Sequence, residues 1–488
     1  MATRISLSLN CRLIRGKPVI PEIAILGHPN EGKSSVLSTL AEDDSVRISS
    51  IPGETTQCRT FPVSIDGREV LRLTDTPGFQ HPTEILNELS SYQGTGEQKL
   101  SKIRAYTAQH DHLRHDHELL GPVERGAGII YVADGARPVQ KVDRAEMEIL
   151  RLTGRPRMAI LNCKEDQDHY LEDWKDEFRI HFNASRLFNA HRANYRERIE
   201  LLEALKAIDQ DWQPLLTQII AAFQKDWHAR TSNCARIIAQ MLSSILNLSI
   251  AKTIDPHEDS SAYEQRLFEQ YSSRIRKDEH QAHQQIRALF KHNIFDYQLP
   301  DYTVLKEDLL AEKTWRLLGL TQTQLVLIGA LGGAALGAGI DIGALGHSLG
   351  LFTLAGTVTG ALGSIVGRKK VKKMPALMRL RLSGSTLRIG PAQNISLMFV
   401  LINRALLYYQ YTINWAHGRR TSGSHDLVPG GESLRSFTSE WPREYLKTSH
   451  SFFKKIALYH DGDRAIGQDF ETLIFKVLME ISDDTHTR

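Results

Sequence analysis

The stretch Glu22-Ile-Ala-Ile-Leu-Gly-His-Pro-Asn-Glu-Gly-Lys-Ser-Ser35 constrains this chain more than any other. Ile23 to Leu26 make an apolar run of the length of a buried strand, and Ser35-Val-Leu-Ser-Thr-Leu40 opens a helix. Between them lies Gly27-x-x-x-x-Gly32-Lys33-Ser34, and strand, glycine loop and helix in that order give this spacing its chemical meaning. Gly27 and Gly32 let the backbone turn tightly, so that successive N–H groups and the helix N-terminus face one anion. Lys33 can then reach the β- and γ-phosphates of a nucleotide, and the Ser34 hydroxyl can ligate Mg²⁺. Asn30, Glu31 and Ser35 belong to the same cradle. The expectation is a nucleoside-phosphate site.

At 488 residues the chain is long enough for two to four domains, and 41% hydrophobic against 24% charged residues excludes wholesale disorder. A net charge of +3 is too small to imply a nucleic-acid partner. Cys11, Cys58, Cys163 and Cys234 are scattered with no C-x-x-C pair, which fits a reducing cytoplasm rather than a disulfide framework or a zinc site. The first twenty residues lack an apolar core of signal-peptide type, so a cytosolic N-terminus is expected.

Beyond the first helix, Ile51-Pro-Gly-Glu-Thr-Thr56 reads as a breaker-rich loop, and Cys58 to Ile65 with Arg68 to Thr74 flank Asp66-Gly67 as a hairpin. The second strand ends in Asp75-Thr-Pro-Gly78. That places an acid at a strand tip beside the phosphate loop, where it can hold Mg²⁺ through water, and a glycine amide within reach of a γ-phosphate.

These three segments together resemble the first three motifs of the Era/TrmE-like GTPases: Gly27-x-x-Asn30-x-Gly32-Lys33-Ser34-Ser35, Glu54-Thr55-Thr56 and Asp75-Thr-Pro-Gly78. The resemblance implies GTP or GDP with Mg²⁺ as the ligands. It also implies that Thr56, or alternatively Thr55, is the switch threonine that joins Ser34 and Asp75 around the metal when a γ-phosphate is bound. Family members are similar in using an asparagine of the phosphate loop, here Asn30, to hold a monovalent cation such as K⁺. Lys33, Asn30, Thr56 and Gly78 are the residues to which hydrolysis is then assigned. Phe79 stands where other GTPases carry a water-orienting glutamine, which implies slow turnover by the chain alone.

Residues 83–126 read as a polar helical insertion. Within it, His110-Asp-His-Leu-Arg-His-Asp-His117 invites a metal reading, with a solvated helix as the bland alternative. Gly128 to Asp134 and Arg157 to Leu161 are buried strands separated by a helix through Leu152, and the β–α alternation predicts a mostly parallel sheet with helices on both faces. The family's guanine-reading [NT]-K-x-D meets Asn162-Cys163-Lys164-Glu165-Asp166 here. Either Lys164-x-Asp166 keeps the spacing with Cys163 in the asparagine's place, or Asn162 is that asparagine and one residue is inserted. Asn183-Ala184-Ser185 and Asn189-Ala190 are the two candidates for a backbone contact to the base.

From about residue 198 the texture turns helical: Arg198 to Ala229, Asn233 to Ile254, and a charged helix through to Phe290. Residues 317–367 hold one acid, Asp341, and no lysine or arginine. Leu325 to Ile340 and Leu349 to Val366 form two apolar arms with glycines at helical spacing, such as Gly329, Gly333 and Gly337, which let two backbones approach closely. Each arm falls short of the roughly 20 residues that span a bilayer. Basic flanks, Lys306, Lys313 and Arg316 before and Arg368-Lys-Lys-Val-Lys-Lys373 after, place both ends in the cytoplasm. A hairpin in the membrane fits this pattern, and a glycine-rich helical pair buried in a soluble domain is the alternative. Farther on come a hairpin turning at Ser383-Gly384, a helix from Asn394 to His417 whose Arg404 marks it as a core helix rather than a span, and two closing helices.

The expected organisation is a GTPase domain over 1–197, a helical domain over 198–320, the apolar hairpin over 321–367 and a mainly helical domain over 368–488. This resembles bacterial proteins in which an Era-like GTPase is fused to a C-terminal domain of unknown function. The leading expectation is a Mg²⁺-dependent molecular switch at the cytoplasmic face of the inner membrane, with the cytoplasm as the alternative location. It would work with an activating partner or as a homodimer. A ribosome or RNA assembly GTPase and a dynamin-like membrane remodeller are the alternatives. No basic aromatic RNA-reading module follows the GTPase segment, so nucleic acid is not an expected partner.

Overall fold

The computed structural model describes residues 13–14, 17–18, 20–28, 31–41, 57–65, 68–163, 169–188, 195–253, 260–290, 314, 318–320, 324, 327, 381–383, 386–392, 394–413, 436–458 and 464–484. These fall into two compact units, Met1–Trp227 with Ile413–Ser422 and His228–Thr412 with Gly423–Arg488.

In the first unit the short pair β1 (Leu13–Ile14) and β2 (Lys17–Pro18) precedes a six-stranded sheet. Its strands are β3 (Glu22–Leu26), β4 (Arg59–Ile65), β5 (Arg68–Asp75), β6 (Gly128–Asp134), β7 (Arg157–Asn162) and β8 (Ala184–Phe188), in the order β4-β5-β3-β6-β7-β8. Only β4 runs antiparallel, as the outer arm of the expected hairpin with β5. β3, β6 and β7 are near-continuous apolar runs because a parallel sheet is buried on both faces.

Alternate residues of one strand enter different cores. Ile23 and Ile25, with Ile130 and Val132, pack beneath α1 (Lys33–Ala41), α7 (Tyr195–Ile208) and the first turns of α8 (Gln213–Asn247). Ala24, Leu26, Ile129 and Tyr131 pack beneath α2 (Pro82–Ser90), α3 (Gly96–Ala108), α4 (Arg114–Glu124), α5 (Lys141–Leu152) and α6 (Leu171–His181). The mostly parallel sheet with helices on both faces is therefore as expected. The helical texture that begins near residue 198 supplies part of its core through Leu201, Leu202 and Leu205.

Three differences from the sequence reading have clear causes. Residues 82–124 are three separate helices with a 3-10 turn at Asp111–Leu113, so the histidine run is not one helical face. α4 is not a solvated helix either, since Leu119, Leu120, Val123 and even Asp116 are buried. β8 lacks a strand signature in the sequence because Ser185 and Arg186 break the apolar pattern at an edge where one side faces solvent.

The second unit holds the rest of α8, α9 (Ser260–Leu289), α10 (Ile395–Ile413), α11 (Arg443–Leu458) and α12 (Arg464–Asp484). The helix expected to reach Ile254 stops at Asn247, and β9 (Ile250–Thr253) instead adds to the hairpin of β10 (Arg381–Ser383) and β11 (Thr386–Ile389). α10 is apolar nearly all round and buried, as a core helix should be. Two of its buried polar residues, Asn403 and Arg404, are satisfied from other segments. Arg404 donates to Glu279 at 2.5 and 3.1 Å, and Asn403 donates to the Leu318 carbonyl at 2.7 Å and to Thr438 Oγ1 at 2.8 Å. Among the described residues no helix is long and apolar enough to cross a membrane. Apart from Leu327, the apolar arms lie outside the described residues.

Candidate nucleotide site

Because β3, β5, β6 and β7 are parallel neighbours, their C-terminal ends gather the phosphate loop, the Asp75 loop, the turn after Asp134 and Asn162 along one edge. This is where ligands bind in open α/β sheets. Gly27 has φ 138° and Gly32 has φ 94°. A Cβ on Gly27 would lie 2.2 Å from the Val132 carbonyl oxygen, and one on Gly32 would lie 2.3 Å from Asn162 Nδ2. Only glycine fits both places.

Lys33 opens α1 with its ammonium donating to the His28 carbonyl at 2.9 Å. Burial pushes Lys33 below its ordinary pKa, against the pull of Asp75, Glu146 and Glu31. Ser34 Oγ donates to Asp75 Oδ2 at 3.2 Å, so the residues expected to share a metal ion already touch across 41 positions. Thr76 ties the Asp75 loop to β3 through the Ile25 carbonyl at 2.8 Å. Gly78 follows and is buried. Phe79 is fully buried in the core beneath α2 to α6. Gln80 is exposed, its amide donating to Asp116 Oδ1 at 2.9 Å and its Nε2 to the Gly78 carbonyl at 3.4 Å.

At the base end, Asn162 Nδ2 donates to the Glu31 carbonyl at 3.2 Å, joining the end of β7 to the phosphate loop. Asn183 lies elsewhere. Its Oδ1 accepts from the Arg157 amide at 3.1 Å, at the start of β7 and the opposite edge of the sheet. That removes Asn183-Ala184-Ser185 as a base contact, because these residues begin β8 rather than end it. Asn30, Thr55, Thr56, Lys164, Asp166, Asn189 and Ala190 lie outside the described residues, as does the side chain of Ser35.

Charged partners of the loop come from far along the chain and carry no local motif. His28 Nδ1 lies 3.2 Å from Glu146 Oε1, and Tyr131 donates to Glu146 Oε2 at 2.9 Å. The hydrogen bond to Glu146 raises the His28 pKa against the cost of burial. Burial raises Glu146 as well, so the pair tends to retain a proton. Glu31 meets Arg137 and the Asp134 amide. Glu146 lies on the inward face of α5, among residues whose apolar spacing was the only available hint.

The histidines of the 110–117 run take separate hydrogen-bond partners, although the His110 and His112 rings lie 5.7 Å apart. His110 Nδ1 faces the Tyr106 carbonyl at 2.9 Å, His112 pairs with Glu84 at 3.1 Å and His117 meets Thr107 Oγ1 at 2.9 Å. Among the described residues no group of three or more His, Cys, Asp or Glu is arranged to hold a metal ion.

Residues 177–469, well over half of the chain, match the family described as Domain of unknown function (DUF3482). The chain belongs to the DUF3482 family. Residues 22–163 of this DUF3482 protein match a second family, described as 50S ribosome-binding GTPase, so that a GTPase-type domain precedes the domain of unknown function. The protein is similar to GTPase Der of Agathobacter rectalis, 32% identical over 25% of this chain and 23% of the relative. It is also similar to the tRNA modification GTPase MnmE of Syntrophus aciditrophicus, 30% identical over 31% of this chain and 27% of the relative. The DUF3482 chain thus spans about a quarter of these relatives' length. A solved Era variant of Aquifex aeolicus bound to GDP and tetrafluoroaluminate aligns with 48% of this chain and 72% of its own, at 16% identity and a TM-score of 0.27.

Proposed function

We propose that this DUF3482 protein binds GTP with Mg²⁺ and hydrolyses it to GDP and phosphate, acting as a molecular switch. The observation that carries the reading is the Ser34–Asp75 hydrogen bond, which brings the phosphate loop and the Asp75-Thr-Pro-Gly78 loop to one point. Both ligand atoms are hard oxygens, one in the first turn of α1 and one at the end of β5, the chemistry that suits Mg²⁺. Ser34 and Asp75 would hold the ion, with Thr56 or Thr55 joining when a γ-phosphate is present; the ion neutralises phosphate charge as it develops.

The remaining roles follow from the chain itself. Backbone amides between Gly27 and Ser35 take the phosphate oxygens, and Lys33 moves from the His28 carbonyl to the β- and γ-phosphates. Gly78 gives its amide to the γ-phosphate, while Asn162, Lys164 and Asp166 read the base. Phe79, held in the core, cannot orient water, which supports slow turnover until a partner or a second copy of the chain completes the site. Asn30 supports a K⁺ ion in that completing role. Lys33→Ala should abolish binding of a GTP analogue in calorimetry, and unchanged affinity would sink the assignment. Asp166→Asn should move preference from guanine toward xanthine, since the amide reverses donor and acceptor at the base edge.

The apolar arms and their basic flanks support attachment to the cytoplasmic face of the membrane. Likeness to the 50S ribosome-binding GTPase family and to the tRNA modification GTPase MnmE favours ribosome or RNA work as the second reading. Fractionation separates them, since the first predicts a membrane pellet and the second co-sedimentation with ribosomes.

A further inference from the structure

Glu31 poses a problem that the nucleotide reading does not solve. It puts a carboxylate, 4% exposed, into the loop that must receive phosphates. A buried charge is tolerated only when paired and hydrogen-bonded, and an unpaired acid here would repel the ligand.

Arg137 answers it from the loop after β6. Its Nε and Nη2 donate to Glu31 Oε1 at 2.9 and 2.5 Å. Its Nη1 and Nη2 donate to the two oxygens of Asp143 at 2.6 and 2.8 Å. One guanidinium therefore bridges two carboxylates, a geometry its planar fork allows and an ammonium does not. The bridge is itself anchored. Asp143 is fully buried in the first turn of α5 and accepts the Gln140 amide at 2.7 Å. The guanidinium lies 5.3 Å from the centre of the Trp174 ring, whose Nε1 donates to the Arg137 carbonyl at 2.8 Å. Glu31 is held at its other polar atoms too, Oε2 by the Asp134 amide and its carbonyl by Asn162.

We propose that Arg137 is a positioning residue of the nucleotide site: it neutralises Glu31 and ties the phosphate loop to Asp143 on α5, fixing the loop in its anion-receiving shape. This rests on the phosphate loop being a nucleotide site. Arg137 touches no phosphate; it acts through Glu31.

The test uses the full chain with fluorescent GDP and Mg²⁺ as the probe, in wild type, Arg137→Met, Arg137→Lys, Glu31→Gln and Glu31→Gln/Arg137→Met. Arg137→Met should weaken GDP about tenfold or more, as loss of one partner of a buried charge pair does, and Arg137→Lys should fall between. Adding Glu31→Gln should return affinity to within about threefold of Glu31→Gln alone, because the repelling charge is gone, while thermal stability stays reduced by the stranded Asp143. A merely structural role would move affinity and stability together and would not be rescued. In turnover, KM for GTP should rise more than kcat falls. GDP affinity of Arg137→Met within about twofold of wild type, or a double variant no better than Arg137→Met, overturns the proposal. Hydrogen exchange of residues 28–36 without nucleotide decides independently of the nucleotide reading. Faster exchange in Arg137→Met supports the clamp and unchanged exchange refutes it, even should wild type bind no GDP.

Discussion

Gly32 shows how much a single position can state in advance. Its φ of 94° and the 2.3 Å approach of Asn162 Nδ2 to any Cβ leave no room for a side chain. Gly32→Ala should therefore cost about 1–3 kcal/mol, shared between fold stability and nucleotide affinity. GDP titration and urea unfolding of the same preparation check it, and a variant matching wild type in both would mean the loop can relax elsewhere. Gly27, Gly32, Lys33, Ser34 and Asp75 were legible because backbone geometry fixes their spacing within a few residues. Arg137, Asp143, Glu146 and Asp116 were not. Arg137 lies 106 positions from Glu31 and Glu146 lies 118 from His28, and only the sheet order makes them neighbours.

At the scale of elements, the strands buried on both faces were readable from apolar runs, and those at edges were not. β3, β6 and β7 declare themselves, whereas β8 presents Ser185, Arg186 and Leu187 to solvent and β9 is Ile-Ala-Lys-Thr at the end of a helical texture. α10 illustrates the reverse case, an apolar helix whose Arg404 marked it as a core element because a charge needs a buried partner. That partner is Glu279 on α9. Arg404→Met should destabilise the second unit by about 3–5 kcal/mol by stranding Glu279, and Arg404→Met/Glu279→Leu should recover much of it. A urea midpoint unmoved by Arg404→Met would refute the pairing. One turn away, His283 stacks on Tyr408 with ring centres 3.9 Å apart. Burial lowers its pKa to about 4, with Glu279 opposing and Arg404 and His280 adding to the shift. Between the ordinary histidine value and about pH 4 the unfolded chain binds a proton that the folded chain refuses, so stability falls as pH drops through that window. The loss approaches about 3 kcal/mol at its acid end. His283→Phe keeps the stack and should flatten the urea midpoint against pH over that window. An identical pH profile in variant and wild type would remove His283 as the cause.

For the molecule as a whole, residues 317–367 are the segment that bears on where it resides. A stretch with one acid and no lysine or arginine, between basic flanks, is costly to leave in water. Glycine at helical spacing costs about 1 kcal/mol per residue relative to alanine in an isolated helix, so the pattern makes sense only where two backbones meet closely. On the membrane reading proposed above, Asp341, between the arms in sequence, would set the depth. An ionised acid at mid-bilayer costs roughly 3 kcal/mol or more, so that reading requires Asp341 near a headgroup layer or in a polar cavity. Gly333→Leu should then disturb arm pairing and leave nucleotide binding intact. Deleting Leu325 to Val366 should shift the protein from a salt-washed membrane pellet to the supernatant while GDP affinity is retained. Full-length protein that is already in the supernatant without detergent would end the membrane reading and make the arms a buried helical pair. In that event, Gly333→Leu should lower the urea midpoint of the protein in solution, because the bulky side chain would then separate two helices inside a core.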